Sequence, residues 1–227
     1  FKLFNQKIFK NQNFKKNSQY MKIKHGMILA AGIGKRMQPL TLKTPKPLLE
    51  IQGVTLLERA LNLLISNGVE EVCINIHHLS DQIREYLSKF KSKVNIEISS
   101  EEDLLLDTGG GAEKATKEFK KNPFFIINPD TLWSDKYYKE VQFLEKVYIE
   151  NKKPCLLLVK KDLSLDKSFK GDFNLDGKLV SRDTNNKYIF TGLQIITRDS
   201  LNLINKKVFS INEVWNKLIN EKNLYGV

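Results

Sequence analysis

Apolar positions between residues 21 and 227 follow two rhythms that alternate along the chain. Residues 25–31 form an apolar strand. Over 55–66, Leu56, Leu57, Ala60, Leu61, Leu64 and Ile65 recur at helical spacing until Asn67-Gly68 stops them. Residues 71–76, EVCINI, read as a strand. A helix over 81–90 puts Ile83, Tyr86 and Leu87 on one face, with Ser80 as its N-cap. Residues 94–98 alternate as a strand, and Gly109-Gly110-Gly111 make a turn leading into a helix that runs to Lys120. PFFIIN, residues 123–128, is a short apolar strand followed by Pro129-Asp130. A helix over 136–148 and a strand over 154–160 complete the series.

Strands that alternate with helices imply right-handed βαβ crossovers and a mostly parallel mixed sheet covered on both faces. The expected class is therefore α/β: Rossmann-like, in three layers α/β/α. The pattern then changes. Residues 173–176 and 179–182 read as a hairpin around Asp176-Gly177, 187–197 as a strand and 212–220 as a final helix. No repeat and no long linker divides the chain, so 21–227 is expected to be one domain. Ligands of open α/β sheets bind beyond the carboxyl ends of the strands. The loops 30–47, 107–111 and 128–131 all lie at such ends.

Composition narrows the classes. The chain has 227 residues, of which 41% are hydrophobic, enough for one sizeable core. No apolar run approaches the roughly 18–20 residues a membrane span needs, so a soluble protein is expected. Cys73 and Cys155 lie inside apolar strands without metal-ligand spacing and read as buried thiols of a reducing, cytoplasmic compartment. The net charge is +11. Its lysines are scattered among many Asn and Ile, and no basic platform carries interleaved aromatics, which argues against a nucleic-acid surface. Residues 1–20 hold lysines and aromatics but no acid and no arginine, which fits neither a secretory signal nor an organelle-targeting peptide. A disordered or artefactual extension is expected there. The chain begins without Met and stops at Val227, and is expected to be a fragment truncated at its C-terminus.

The densest chemistry lies in residues 29–47, LAAGIGKRMQPLTLKTPKP. A dinucleotide fingerprint fits Gly32 and Gly34 but meets Met37 where the third glycine belongs. A P-loop fails because Arg36 follows Gly34-Lys35, leaving no hydroxyl for a metal, and Leu29 stands at the first glycine. The composition supports a nest of backbone N–H groups around Gly32–Gly34 that holds an oligophosphate. Lys35, Arg36 and Lys46 add charge. Pro45 and Pro47 are expected to keep Lys46 extended, with residues 41–44 doubling back so that Arg36 and Lys46 flank one anion.

LAAGIGKRMQPLT followed by PKP resembles the signature loop of the sugar-1-phosphate nucleotidylyltransferases. Asp107-Thr108-Gly109-Gly110-Gly111 is similar to the E-T-G-G-G turn of the subgroup containing N-acetylmuramate-1-phosphate uridylyltransferase and mannose-1-phosphate guanylyltransferase-like enzymes. Asn128-Pro129-Asp130, Gly171-Asp172-Phe173 and Tyr188–Gly192 resemble its N-G-D, G-D-F and Y-T-G segments. The resemblance implies the nucleotide-diphospho-sugar transferase fold. It also implies attack of a sugar-1-phosphate on the α-phosphorus of an NTP, as in the synthesis of cell-wall precursors.

In that pattern Arg36 stabilises the pyrophosphate leaving group and Lys46 bridges the α-phosphate and the incoming phosphate. Leu29, Ala30, Ala31, Gly32, Ile33, Gly34, Lys35, Asp107, Thr108 and Gly109 surround the nucleotide, and Asn128, Gly171, Thr191 and Gly192 the sugar. Asp130 holds Mg2+. Asp107 is shorter than the usual Glu, and Pro129 replaces the usual glycine. The chain also stops before a W-x-D-x-G-T-P segment, which in the family carries a second metal carboxylate. Uridylyl transfer to an N-acetylated sugar-1-phosphate is the favoured specificity. Mannose-1-phosphate guanylylation, cytidylyl transfer to phosphocholine and a non-catalytic nucleotide-sensing module are the alternatives. His77 and His78 are adjacent at a strand end, so one is expected to be packed and the other solvated.

Overall fold

A computed structural model describes residues 22–120 and 122–227; residues 1–20 lie outside this range. Chain order begins with strand β1 (His25–Leu29), the short β2 (Glu50–Ile51) and β3 (Val54–Thr55), helix α1 (Leu56–Ser66), β4 (Glu71–Ile76), α2 (Ser80–Lys89) and β5 (Asn95–Ser100). It continues with α3 (Asp107–Ala115), β6 (Phe124–Ile127), α4 (Tyr138–Asn151) and β7 (Cys155–Lys160). The last part holds β8 (Asn174–Asp176), β9 (Leu179–Ser181), β10 (Tyr188–Ile196), α5 (Arg198–Leu201), α6 (Ile211–Asn220) and β11 (Tyr225–Gly226). The main sheet runs β5-β4-β1-β6-β10-β7-β11-β9-β8. Strands β5, β4, β1 and β6 are parallel, and β10 is antiparallel to both its neighbours, β6 and β7.

The near-continuous apolar strands are explained by burial on both faces. Side chains alternate across a strand, and here each parity feeds a different core. Ile28, Val72, Ile74, Phe125 and Ile127 face one layer, filled by Leu57, Leu61 and Leu64 of α1, Ile83 of α2, and Val141 and Leu144 of α4. Met27, Cys73, Phe124 and Ile126 face the other, filled by Ala112 of α3 and Val214, Trp215 and Leu218 of α6. Each such aliphatic or aromatic side chain stabilises the fold by roughly 1.5–3 kcal/mol relative to exposure. Both cores therefore depend on the register of the central strands, and the three-layer expectation holds.

Local signals explain most boundaries. Thr55 caps α1, its Oγ1 accepting from Glu58 N at 3.0 Å. Asn67 and Gly68 (φ +90°) end that helix as expected. Other expectations need correction. Ser80 is the first residue of α2 rather than its cap; Leu79 precedes it in the left-handed region. The three glycines lie inside α3, because a Cβ on Gly109 would come within 2.4 Å of the Phe209 ring and one on Gly110 within 2.3 Å of Lys207 O. Gly109 and Gly110 let α3 pack closely against residues 207–209. The sheet also gains β11, which joins β7 to the β8–β9 hairpin.

Cys73 and Cys155 are buried free thiols. Burial, aided by the nearby Glu97 and Glu71, pushes Cys73 up to about 12, and burial alone does the same for Cys155. The thiolate is the reactive species. Neither cysteine should therefore react with iodoacetamide at pH 8 in the native protein, whereas both should react fully in urea. Mass spectrometry after timed quenching reads this, and rapid native labelling of either would contradict it.

Candidate active site

The loop leaving β1 is built to turn tightly and return. Gly34 has φ +69°, and a Cβ there would meet Thr41 Cγ2 at 2.8 Å, so only glycine fits. Its carbonyl accepts from the buried Thr41 Oγ1 at 2.9 Å, which closes the loop. Short 3-10 turns follow at Lys35–Met37, Leu40–Leu42 and Lys46–Leu48. Lys46 thus starts a helical turn instead of lying extended; only Pro45 before it is extended. The far side of the loop is held by His78 Nε2 on Thr41 O at 2.7 Å and Gln82 Nε2 on Lys43 O at 2.9 Å.

This fold-back brings Lys46 to the end of β6, where Nζ donates to Asp130 Oδ2 at 2.6 Å. The pair is partly shielded, with side-chain exposures of 21% and 29%. A cavity of about 370 Å³ opens beside it, at the carboxyl ends of the parallel strands. Leu29, Ala30, Ala31 and Gly32 form one wall, and a Cβ on Gly32 would meet nothing within 4 Å. Leu105, Asp107 and Thr108 line the cavity where α3 begins. Lys46, Pro47, Asn128, Pro129 and Asp130 line it around the ion pair, and the buried Asn75 and Glu101 line it at the ends of β4 and β5.

Nine residues singled out from the sequence therefore meet in one space: Leu29, Ala30, Ala31, Gly32, Lys46, Asp107, Thr108, Asn128 and Asp130. Ile33, Gly34, Lys35 and Arg36 continue the loop without lining the cavity, and Lys35 and Arg36 are exposed. Gly109 faces Phe209 rather than the cavity. Asp107 turns its carboxylate onto Thr108 N and Oγ1, and that hydroxyl accepts from Ile211 N at 2.9 Å.

Thr191 and Gly192 act at one remove. A register shift in β10 between Phe190 and Gln194 gives Gly192 φ +100°. Gly192 O then accepts from Asn128 N at 2.8 Å, and Thr191 O accepts from Thr131 Oγ1. The turn carrying Asp130 is thus clamped from behind. Gly171 is elsewhere, packed on Asn186. The two histidines are both half-buried, and each bonds a backbone carbonyl, His77 Nδ1 on Glu101 O at 2.8 Å and His78 on Thr41 O. Neither is the solvated member expected of the pair, because both side chains tie loops to the end of β4.

Sequence reading missed Asn75 and Glu101. Asn75 interrupts the apolar run EVCINI at a position 3% exposed, and a buried polar group needs partners. That interruption was the available signal. Glu101 is hidden within the acidic stretch SSEED, where a solvated face is the ordinary reading.

For a metal, the donor set is sparse. Among the described residues no three His, Cys, Asp or Glu side chains converge. Of the three carboxylates that line the cavity, Glu101 and Asp107 are hydrogen-bonded to Asn75, Leu106 N and Thr108, and Asp130 stands beside Lys46. That suits a cation carried mainly by phosphate oxygens and water, the usual habit of Mg2+, and does not suit a cage built from protein side chains.

The mostly parallel sheet gathers a glycine-rich loop, a lysine and a carboxylate at one cavity. The chain belongs to the nucleotidyl transferase family, whose model matches residues 25–161. It is 31% identical over 216 residues to N-acetylmuramate alpha-1-phosphate uridylyltransferase of Caulobacter vibrioides, covering 90% of this chain and 88% of that protein. It is 30% identical over 210 residues to mannose-1-phosphate guanyltransferase 2 of Candida glabrata, covering 88% of this chain but 57% of that protein. The solved inositol-1-phosphate CTP transferase from T. maritima shares the fold, with TM-score 0.72, 17% identity, and coverage of 91% and 86% of the two chains.

The Lys46–Asp130 contact has a direct consequence for anion binding. With Asp130→Asn the ammonium loses its carboxylate, and inorganic pyrophosphate in EDTA should bind roughly tenfold tighter, a fraction of the full Coulomb energy at this exposure. Lys46→Met should abolish that binding. Isothermal titration reads both, and unchanged affinities would place the anion elsewhere.

Proposed function

We infer that this chain transfers a nucleotidyl group from an NTP to a sugar-1-phosphate. An oxygen of the sugar phosphate attacks the α-phosphorus, the α–β bridging P–O bond breaks, and pyrophosphate leaves with the bonding electrons. The observation that carries this reading is Lys46 paired with Asp130 at 2.6 Å, in the same cavity as the backbone of 29–32. Such chemistry needs positioning and charge neutralisation more than covalent help.

In this reading the 29–32 backbone and Thr108 hold the nucleotide, with Ile33, Gly34 and Lys35 extending the loop along its phosphates. Lys46 lies between two anions that would otherwise repel. Arg36, exposed on the first 3-10 turn, swings over the leaving pyrophosphate. Asn128 binds the sugar phosphate partner, and Thr191 and Gly192 support that side through the turn that carries it. Asp130 would hold Mg2+, which when bound draws off charge from the phosphate oxygens.

Uridylyl transfer to an N-acetylated sugar-1-phosphate is the favoured specificity. It is supported by the similarity to the Caulobacter enzyme, which extends over 88% of that protein's length. Guanylylation of mannose-1-phosphate is the second reading, supported by the Candida relative across 57% of its length. A cytoplasmic setting accords with the two reduced, buried thiols and with the absence, among the described residues, of a helix long and apolar enough to cross a membrane.

Pyrophosphate release tests this. The protein is incubated with Mg2+, each of UTP, GTP and CTP, and each of N-acetylmuramate-1-phosphate, N-acetylglucosamine-1-phosphate, mannose-1-phosphate and phosphocholine. Release is expected with UTP and an N-acetylated sugar phosphate, falling by orders of magnitude in Lys46→Ala and Arg36→Ala at unchanged melting temperature. Release with no pair would refute transferase activity, and release only with GTP and mannose-1-phosphate would favour the second reading.

A further inference from the structure

Glu101 and Asn75 form a buried polar pair that neither the motif nor the proposed chemistry uses. They are 2% and 3% exposed, at the carboxyl ends of β5 and β4. Their hydrogen bonds make one continuous line between two segments that border the cavity. Ala30 N donates to Asn75 Oδ1 at 2.8 Å, Asn75 Nδ2 donates to Glu101 Oε1 at 2.7 Å, and Leu106 N donates to Glu101 Oε2 at 2.8 Å. Ala30 lines the cavity in the loop after β1, and Leu106 directly precedes the lining residues Asp107 and Thr108 at the start of α3.

We propose that Glu101 is a positioning residue for nucleotide binding: through Asn75 it sets the separation of the Ala30 and Leu106 backbones, and thereby the width of the nucleotide cleft. The proposal rests on the nucleotidyl-transfer reading of the cavity.

The donors and acceptors admit one arrangement. Ala30 N–H can only donate, so Asn75 must turn its oxygen to it and its amide NH2 to Glu101. Leu106 N–H can also only donate. Glu101 thus faces two donors with two oxygens, a pattern met by an ionised carboxylate and by no amide. The main chain at 101 is equally fixed, its N–H on Ile76 O at 2.8 Å and its carbonyl accepting from His77 Nδ1 at 2.8 Å. Gly111 leaves the pair its space. A Cβ there would stand 2.5 Å from Glu101 Oε1 and 2.8 Å from Asn75 Nδ2. The third glycine of the DTGGG stretch therefore serves this contact.

Glu101→Gln turns one of the two contacts into donor against donor. Leaving a buried donor unmatched weakens what depends on it by about tenfold to a hundredfold. The reciprocal double variant N75D/E101Q restores every bond with the roles exchanged. The carboxylate now at position 75 accepts from Ala30 N and from the amide now at position 101, and the oxygen of that amide accepts from Leu106 N. Net charge is unchanged.

The test measures binding of UTP and GTP, each with MgCl2, to the full chain by isothermal titration, together with steady-state KM for nucleotide and for acceptor phosphate. Glu101→Gln is expected to raise nucleotide Kd and KM while the acceptor KM stays within about twofold, the signature of one lost binding function. N75D/E101Q is expected to bring nucleotide affinity back near wild type. Wild-type nucleotide affinity in Glu101→Gln, an equal rise in the acceptor KM, or no recovery in the double variant would each overturn the proposal. If the wild-type chain binds neither nucleotide, the nucleotidyl-transfer reading itself falls, and this inference with it.

Discussion

Strand β1 has a parallel partner on each side, β4 and β6, and its side chains are consumed by the two cores above and below the sheet. Backbone and side chains are thus committed up to Leu29, and the next residues can only pass over the carboxyl edge. Parallel strands end on that same edge, so β4, β5 and β6 deliver Asn75, Glu101 and Asn128–Asp130 to the place where the loop emerges. The site follows from this geometry. A central parallel strand buried on both faces opens its next loop at that edge, and this chain has put glycine and lysine in that loop.

Charge is then brought to the edge by a return path. The Gly34–Thr41 closure and the turns after it carry Lys46 back onto Asp130. In this arrangement the two charges satisfy one another. A phosphate and its cation offer each a better partner, since the ammonium can bond phosphate oxygens and the carboxylate a metal. On the proposed reading, nucleotide and cation would enter as exchange partners for a pair already formed, at a turn that Thr191 and Gly192 hold from behind.

Much of this was legible because it rests on periodicity and on residue types with few alternatives. EVCINI maps residue for residue onto β4, and the α1 stripe onto α1, since a double-sided sheet and an amphipathic helix write themselves directly into hydrophobic spacing. The ribbon β2–β3 went unread because its two-residue turn, Gln52-Gly53, has positive φ at both positions but lacks the Asn or Asp that announces one. Strand β11 has two residues and no pattern. The glycines at 109–111 were misread as a turn because glycine is a poor helix former, whereas here close packing on Phe209, Lys207 and Glu101 outweighs propensity. At the site, the lysine, the loop and the carboxylate were legible as chemistry. Asn75 and Glu101 were not, because their importance lies in whom they touch.

The central claim is that the cavity between Ala30, Thr108 and the Lys46–Asp130 pair receives the triphosphate. The most direct measurement is a crystal structure of this protein with a non-hydrolysable nucleoside triphosphate and magnesium. The account predicts phosphate oxygens against the 29–32 backbone, with Lys46 Nζ drawn from Asp130 onto a phosphate and the carboxylate turned to the cation. A nucleotide bound elsewhere, with Lys46 and Asp130 still joined at 2.6 Å, would contradict it.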